Sequence, residues 1–328
     1  MHNKKYNTKA LVESGIMAAI LVVTMLISIY IPLIDTIAYL ALPIPIALTY
    51  ARNGFKYAFA SLISGALVGV FIIGPIKAVQ LIIISFFVGL TLGYCIIKHK
   101  KASKTMIYLS AAFGIVVIIN LFLISLFIYK NGVIGFVDNI VNTFNESINI
   151  TRNMYLGMGV AKDEIERALP SNIMLNRDQI IWILPGMVVI ISLVLAFFNY
   201  KMAESIFSRL KVQVDKLKGI TYFYIPSLIG AFMIVLVCIG LIFKSRNMLI
   251  GNYVFYSTYA LLSLVLTING IAAVIYFLRN KLNFSNGFIV ITIILLLLAY
   301  YSLFMIIGVI ELIVDSRKLD PNRIRKIR

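Results

Sequence analysis

Apolar runs, most of them about 18 residues or longer, recur along the whole chain, separated by short breaks that carry Lys, Arg, Gly or Pro. They lie at roughly 10–31, 36–51, 55–75, 78–97, 106–129, 179–200, 222–243, 251–278 and 286–314. A helix over 9–31 rises about 1.5 Å per residue and reaches roughly 34 Å, enough to cross a hydrocarbon core. By the length criterion the pattern predicts an all-α polytopic bundle with about nine crossings. The run at 36–51 is short and contains Pro43 and Pro45. Proline frees backbone carbonyls, which neighbours or water must satisfy, so this segment is expected inside the bundle or broken.

One polar region, 130–178, interrupts the pattern. Val137, Ile140, Val141, Phe144 and Ile148 recur at helical spacing and predict an amphipathic helix, followed by a short helix near 163–169 that stops at Pro170. Asn145 and Asn149 open glycosylation sequons, a short pattern that also arises by chance. After the sixth run, 201–219 is basic, with Met202, Ile206, Leu210 and Leu217 as an apolar side, and predicts a helix on the membrane surface. The expected division is 1–200 as a six-span part, 201–221 as a basic cytoplasmic connector, 222–314 as a three-span addition and 315–328 as a basic tail.

Small residues mark close helix contacts. Ala10, Ser14 and Ala18 stand four apart on the first helix, with Gly15 and Ala19 beside them; Ser61, Gly65 and Gly69, then Ser85, Gly89 and Gly93, repeat the spacing. Internal packing explains all three sets. For the first helix, docking of a separate membrane subunit is the alternative.

Composition agrees with a membrane protein: 61% of the residues are hydrophobic and 13% charged, which excludes an ordinary soluble domain. The net charge of +17 suggests nucleic acid until its distribution is considered. The basic residues stand at the ends of apolar runs, where they fix orientation and meet anionic headgroups, and no soluble stretch is large enough for a nucleic-acid-binding domain. Lys4, Lys5 and Lys9, then Arg52 and Lys56, then Lys98, Lys100, Lys101 and Lys104, then Lys201, Arg209, Lys211, Lys216 and Lys218 fall on one side if each run crosses. That side is expected to be the cytoplasm, N-terminus included, with a retained first helix in a bacterial cytoplasmic membrane. Under nine crossings, Lys244, Arg246 and the tail basics Arg317, Lys318, Arg323, Arg325, Lys326 and Arg328 fall on the other side, against the rule. Either a late segment does not cross or the early helices dominate.

No catalytic chemistry is visible. The two histidines, His2 and His99, lie in basic flanks, Cys95 and Cys238 are isolated in apolar runs, and neither a phosphate-binding glycine loop nor a nucleophile elbow is present. No enzyme, cofactor or metal is expected. One polar set stands out. Asp35, Tyr39, Lys77, Gln80, Asn120 and Trp182 fall in the outer half or at the outer edge of the first six spans. Polar groups from several helices with aromatic surface between them suit a small-molecule pocket; an interfacial belt is the plainer account.

The stretches LVESGIMAAI, ALPIPIALTYARNG, ILPGMVVIISLVLAFFNYKMAESIFSRL, INGIAAVIYFLRN and IIGVIELIVDSRK resemble the YybS-type uncharacterised bacterial membrane proteins over nearly the full chain. The first two hundred residues also resemble the S components of energy-coupling factor transporters. That resemblance implies a six-helix fold with substrate bound near the outer face. It also implies a first-helix small-residue motif, here Ser14 and Ala18 with Gly15 and Ala19, that meets a membrane coupling subunit. The expectation is small-molecule binding in an outward-facing cavity with a transport role; the alternative is a membrane scaffold or regulator working through protein partners.

Overall fold

A computed structural model describes residues 8–129, 131–170 and 173–320. The helices, in chain order, are α1 (Thr8–Tyr30), α2 (Asp35–Ala41), α3 (Pro43–Asn53), α4 (Phe55–Ile73), α5 (Pro75–Ile97), α6 (Ala102–Phe127) and α7 (Gly132–Gly157). They continue with α8 (Lys162–Ala168), α9 (Arg177–Arg209), α10 (Ser227–Ser245), α11 (Leu249–Asn280), α12 (Asn286–Ala299) and α13 (Tyr301–Val314). Among the described residues there is no strand, and the all-α polytopic bundle stands. Seven helices, α1, α4, α5, α6, α9, α10 and α11, are long and apolar enough to cross a membrane, and α12 with α13 makes an eighth if that pair is one span.

That count, made by helix length and composition, leaves the expected nine unconfirmed. The run at 36–51 divides at Leu42 into α2 and α3, because Pro43 and Pro45 have no N–H for the carbonyls of Tyr39 and Ala41. The run at 286–314 bends by 109° at Tyr300, whose φ and ψ of −145° and 62° leave the helical region. The contact boundaries also fall elsewhere than the expected ones. Unit 1 comprises Met1–Phe136 and Ile191–Leu217, and unit 2 comprises Val137–Ile190 and Lys218–Arg328, so α9 contributes to both.

In unit 1, α3 is the centre: every residue from Pro43 to Thr49 is buried. At the break, side chains reach neighbouring carbonyls: Asn199 Nδ2 of α9 donates to Leu40 O at 2.7 Å, and Ser85 Oγ of α5, which donates to Leu81 O at 3.0 Å, lies 3.4 Å from Leu42 O. The small residues admit backbones. A Cβ on Gly89 would stand 2.9 Å from Pro43 O, and one on Gly93 3.0 Å from Ala47 O, so α5 packs on α3. A Cβ on Gly65 would meet Leu21 at 2.8 Å, and one on Gly69 Met25 at 3.1 Å, so α4 packs on α1. Leu21, Met25, Ile46, Ile84, Leu92, Leu109 and Phe113 fill the core with Tyr200 and Phe207 of α9.

The connector after α9 departs from the expected surface helix. Helix α9 runs on to Arg209, the chain turns with Lys211 at φ 58°, and 212–219 forms neither helix nor strand. Val212 and Val214 alternate with exposed Lys211, Gln213 and Asp215, and Val212, Val214 and Leu217 lie on the unit 1 core. The period is 2 and not 3.6, which suits an extended strap with one apolar edge.

In unit 2, α11 and α13 cross with backbones in contact. A Cβ on Gly270 would lie 1.9 Å from Phe304 O, and one on Gly308 1.9 Å from Leu266 O. Asn269 Nδ2 donates to Gly308 O at 3.2 Å across the same crossing. Its Oδ1 accepts from Arg317 Nη2 at 2.7 Å, while Arg317 Nε donates to Glu311 at 2.8 Å and Nη1 to Thr221 O and Phe223 O. Thus a fully buried guanidinium holds the chain after α13 to the segment before α10. In the first half of α9, the Ser257 hydroxyl of α11 enters the backbone ladder: Gly186 N donates to Ser257 Oγ at 3.1 Å, and Ser257 Oγ donates to Trp182 O at 2.9 Å. Pro185 lies beside this insertion, and Gly186 leaves room for it.

From Val137 on, the polar region belongs to unit 2. Helix α7 is longer than expected, α8 lies where a short helix is predicted, and Asn145 is engaged by Leu175, whose N donates at 2.9 Å and whose O accepts at 3.1 Å.

Candidate functional site

One end of unit 1 gathers the basic clusters. Glu13, near the start of α1, accepts from Arg52 at 2.9 Å and Asn53 at 3.0 Å at the end of α3, and Arg52 also reaches Leu210 O beyond α9. The α5–α6 turn joins the same end through the strap: Ala102 N, at the start of α6, donates to Asp215 Oδ2 at 2.7 Å. Helix α6 has no side-chain cap of its own, and Asp215 supplies the missing acceptor and a negative charge at a helix N-terminus. Lys9, Arg52, Lys56, Lys98, Lys100, Lys101, Lys104 and Lys201 thus share one end.

A cavity of about 300 Å³ opens there, lined by Cys95, Ile96, His99, Lys100, Lys101, Thr105, Tyr200, Gln213, Val214 and Asp215. This reaches the lower end of the volumes typical of small-ligand sites. Each wall has a cause. Helix α5 ends at Ile97 and the chain turns through His99 at φ 46°, which carries Lys100 and Lys101 over the mouth. Tyr200, 1% exposed, anchors the strap by donating to Asp215 O at 2.6 Å. Thr105 Oγ1 turns back to Lys101 O at 3.2 Å. Ile96 and Val214 supply apolar lining. A second cavity, about 10 Å³, lies by Arg317 in unit 2 and has room for little beyond a water.

The sequence-derived polar set is not assembled around either cavity. Asp35 and Lys77 are exposed, Gln80 is half-buried, and Tyr39 lies against the unit 1 core. Asn120 is half-buried, with Oδ1 buried and without a partner among the described residues. Trp182 belongs to unit 2, where its ring stacks on Tyr256 at 5.5 Å and Lys244 lies 4.5 Å from the Tyr256 ring.

The small-residue sets divide. Ala10, Ser14 and Ala18 are buried, and Ala18 O faces Gly65 across the α1–α4 contact. Because α4 takes up this face, the partner-docking alternative moves off those three residues. Gly15 and Ala19 face outward with Leu11, Val12 and Ile16. Ser61, Gly65 and Gly69 serve α1, and Ser85, Gly89 and Gly93 serve α3. His2, Lys4 and Lys5, with Arg323, Arg325, Lys326 and Arg328, lie outside the described residues.

Sequence reasoning missed the strap, the α11–α13 glycine crossing, the Ser257 insertion and the Arg317 clasp. For the strap and for Pro185–Gly186 a signal existed, in the alternation after Lys211 and in a Pro-Gly pair inside an apolar run.

Comparison with known proteins places the chain. A family model described as "Predicted membrane protein (DUF2232)" matches residues 19–313. The uncharacterized protein YybS of Bacillus subtilis (strain 168) is 22% identical over 275 residues, covering 84% of this chain and 86% of the relative. No solved structure matches. The resemblance to S components is not confirmed by these comparisons. The chain belongs to the DUF2232 family of predicted membrane proteins, a multi-pass helical bundle of the YybS kind.

Proposed function

We propose that the protein binds a small molecule in the cavity at the basic end of unit 1 and serves its transport across the bacterial cytoplasmic membrane. The cavity of about 300 Å³ carries this reading: it is large enough for a ligand, and polar groups from α5, α6, α9 and the strap converge on it. The positive-inside rule assigns the basic end to the cytoplasm. The reading therefore moves the site away from the outward-facing cavity expected from the sequence, where Asp35 and Lys77 are exposed. It assigns the chain binding and no bond-making chemistry.

Native mass spectrometry of the gently purified full chain tests it. Wild type is expected to carry a bound small molecule that Val214→Trp, whose indole would occupy the cavity, loses while its helix content by circular dichroism stays that of wild type. An identical spectrum for the two proteins would overturn the reading.

A further inference from the structure

Resting on that reading, we infer that the ligand is anionic and phosphate-bearing, held by Lys100, Lys101 and His99. The lining sets two ammonium groups and an imidazole against one carboxylate, Asp215, whose Oδ2 is turned to Ala102 N. Among the described residues neither Lys100 nor Lys101 makes an ion pair. The hydroxyls are already committed as donors, Tyr200 to Asp215 O and Thr105 to Lys101 O. What remains for a ligand is a set of cationic donors with the Gln213 carboxamide, and such a set matches oxygens that bear charge. Two flexible point charges suit a dianion better than a monocarboxylate.

Two sources supply this chemistry: a soluble phosphorylated molecule, and the headgroup of an anionic lipid beside the α5–α6 turn. In lipid-free maltoside detergent, inorganic pyrophosphate at fixed ionic strength is expected to raise the thermal midpoint of the full chain. K100Q/K101Q is expected to need about tenfold more pyrophosphate or to show no shift, while K100R/K101R stays close to wild type. In discs of phosphatidylcholine with phosphatidylglycerol, retention of phosphatidylglycerol by wild type but not by K100Q/K101Q assigns the headgroup as source. Charge-dependent binding in either arm supports the inference. Equal behaviour of wild type and K100Q/K101Q in both arms overturns it; single K100Q and K101Q variants take over the comparison if the double variant does not fold. Should a bound mass vanish in Val214→Trp yet persist in K100Q/K101Q, the cavity reading stands and the anion inference fails; should Val214→Trp change nothing, the cavity reading itself fails.

Discussion

At Gly270 and Gly308 a single missing methyl decides the packing of unit 2. A Cβ at either would be 1.9 Å from a carbonyl oxygen of the facing helix, so backbone and not a flexible side chain has to move. Gly270→Ala or Gly308→Ala is expected to cost about 1–3 kcal/mol or more, read as a lowered unfolding midpoint in detergent. Gly15→Ala meets open space and is expected to leave the midpoint unchanged. Arg317 is the other sensitive residue. Its side chain is fully buried, and removing it leaves Glu311 with the Ser316 hydroxyl and the Arg317 backbone N–H but without its countercharge. Arg317→Met is expected to cost about 3–5 kcal/mol, the usual price of stranding one buried partner. The glycine spacings at Gly65, Gly69, Gly89 and Gly93 were legible because four-residue repeats advertise a flat helix face. Gly270 and Gly308 were not, since the residues four positions to either side of them are the large Leu266, Val274, Phe304 and Leu312.

Among the elements, the broken helix α2–α3 was the most legible and α12–α13 the least. Pro43 and Pro45 announce a break, and the structure brings Asn199 to Leu40 O and Ser85 near Leu42 O beside it. Asn199→Leu leaves Leu40 O buried and unpaired and is expected to destabilise by about 1–3 kcal/mol, read as a lowered unfolding midpoint in detergent. Nothing comparable marks Tyr300, where neither Pro nor Gly stands at the bend, so hydropathy reads one span where two helices lie. The strap escaped for another reason: apolar residues at 202, 206, 210 and 217 satisfy a helical template until 212 and 214 are weighed. In the polar region, Arg177 beside Asp138 holds that carboxyl below its ordinary value of 3.8. A depressed carboxylate adds stability above the ordinary value and loses it as pH falls through the lower folded value. Protease protection of α7 is therefore expected to hold from neutral pH down to about 4 and to weaken only below that, while Asp138→Asn removes the dependence.

On the scale of the whole molecule, membrane residence was legible from hydropathy alone, and so was the clustering of basic residues. The cavity was not, because it is made by a strap, a turn and two helix ends that are far apart in sequence, and Lys100 and Lys101 read as orientation signals until Tyr200 and Asp215 are seen beside them. The account depends on that cavity opening to the cytoplasm. Gln213, exposed on the strap and part of the lining, reports on it. In a Cys95→Ala, Cys238→Ala background, Gln213→Cys is expected to react with a membrane-impermeant thiol reagent in inside-out vesicles and to resist it in intact cells. Reaction in intact cells, with protection in inside-out vesicles, would contradict the account.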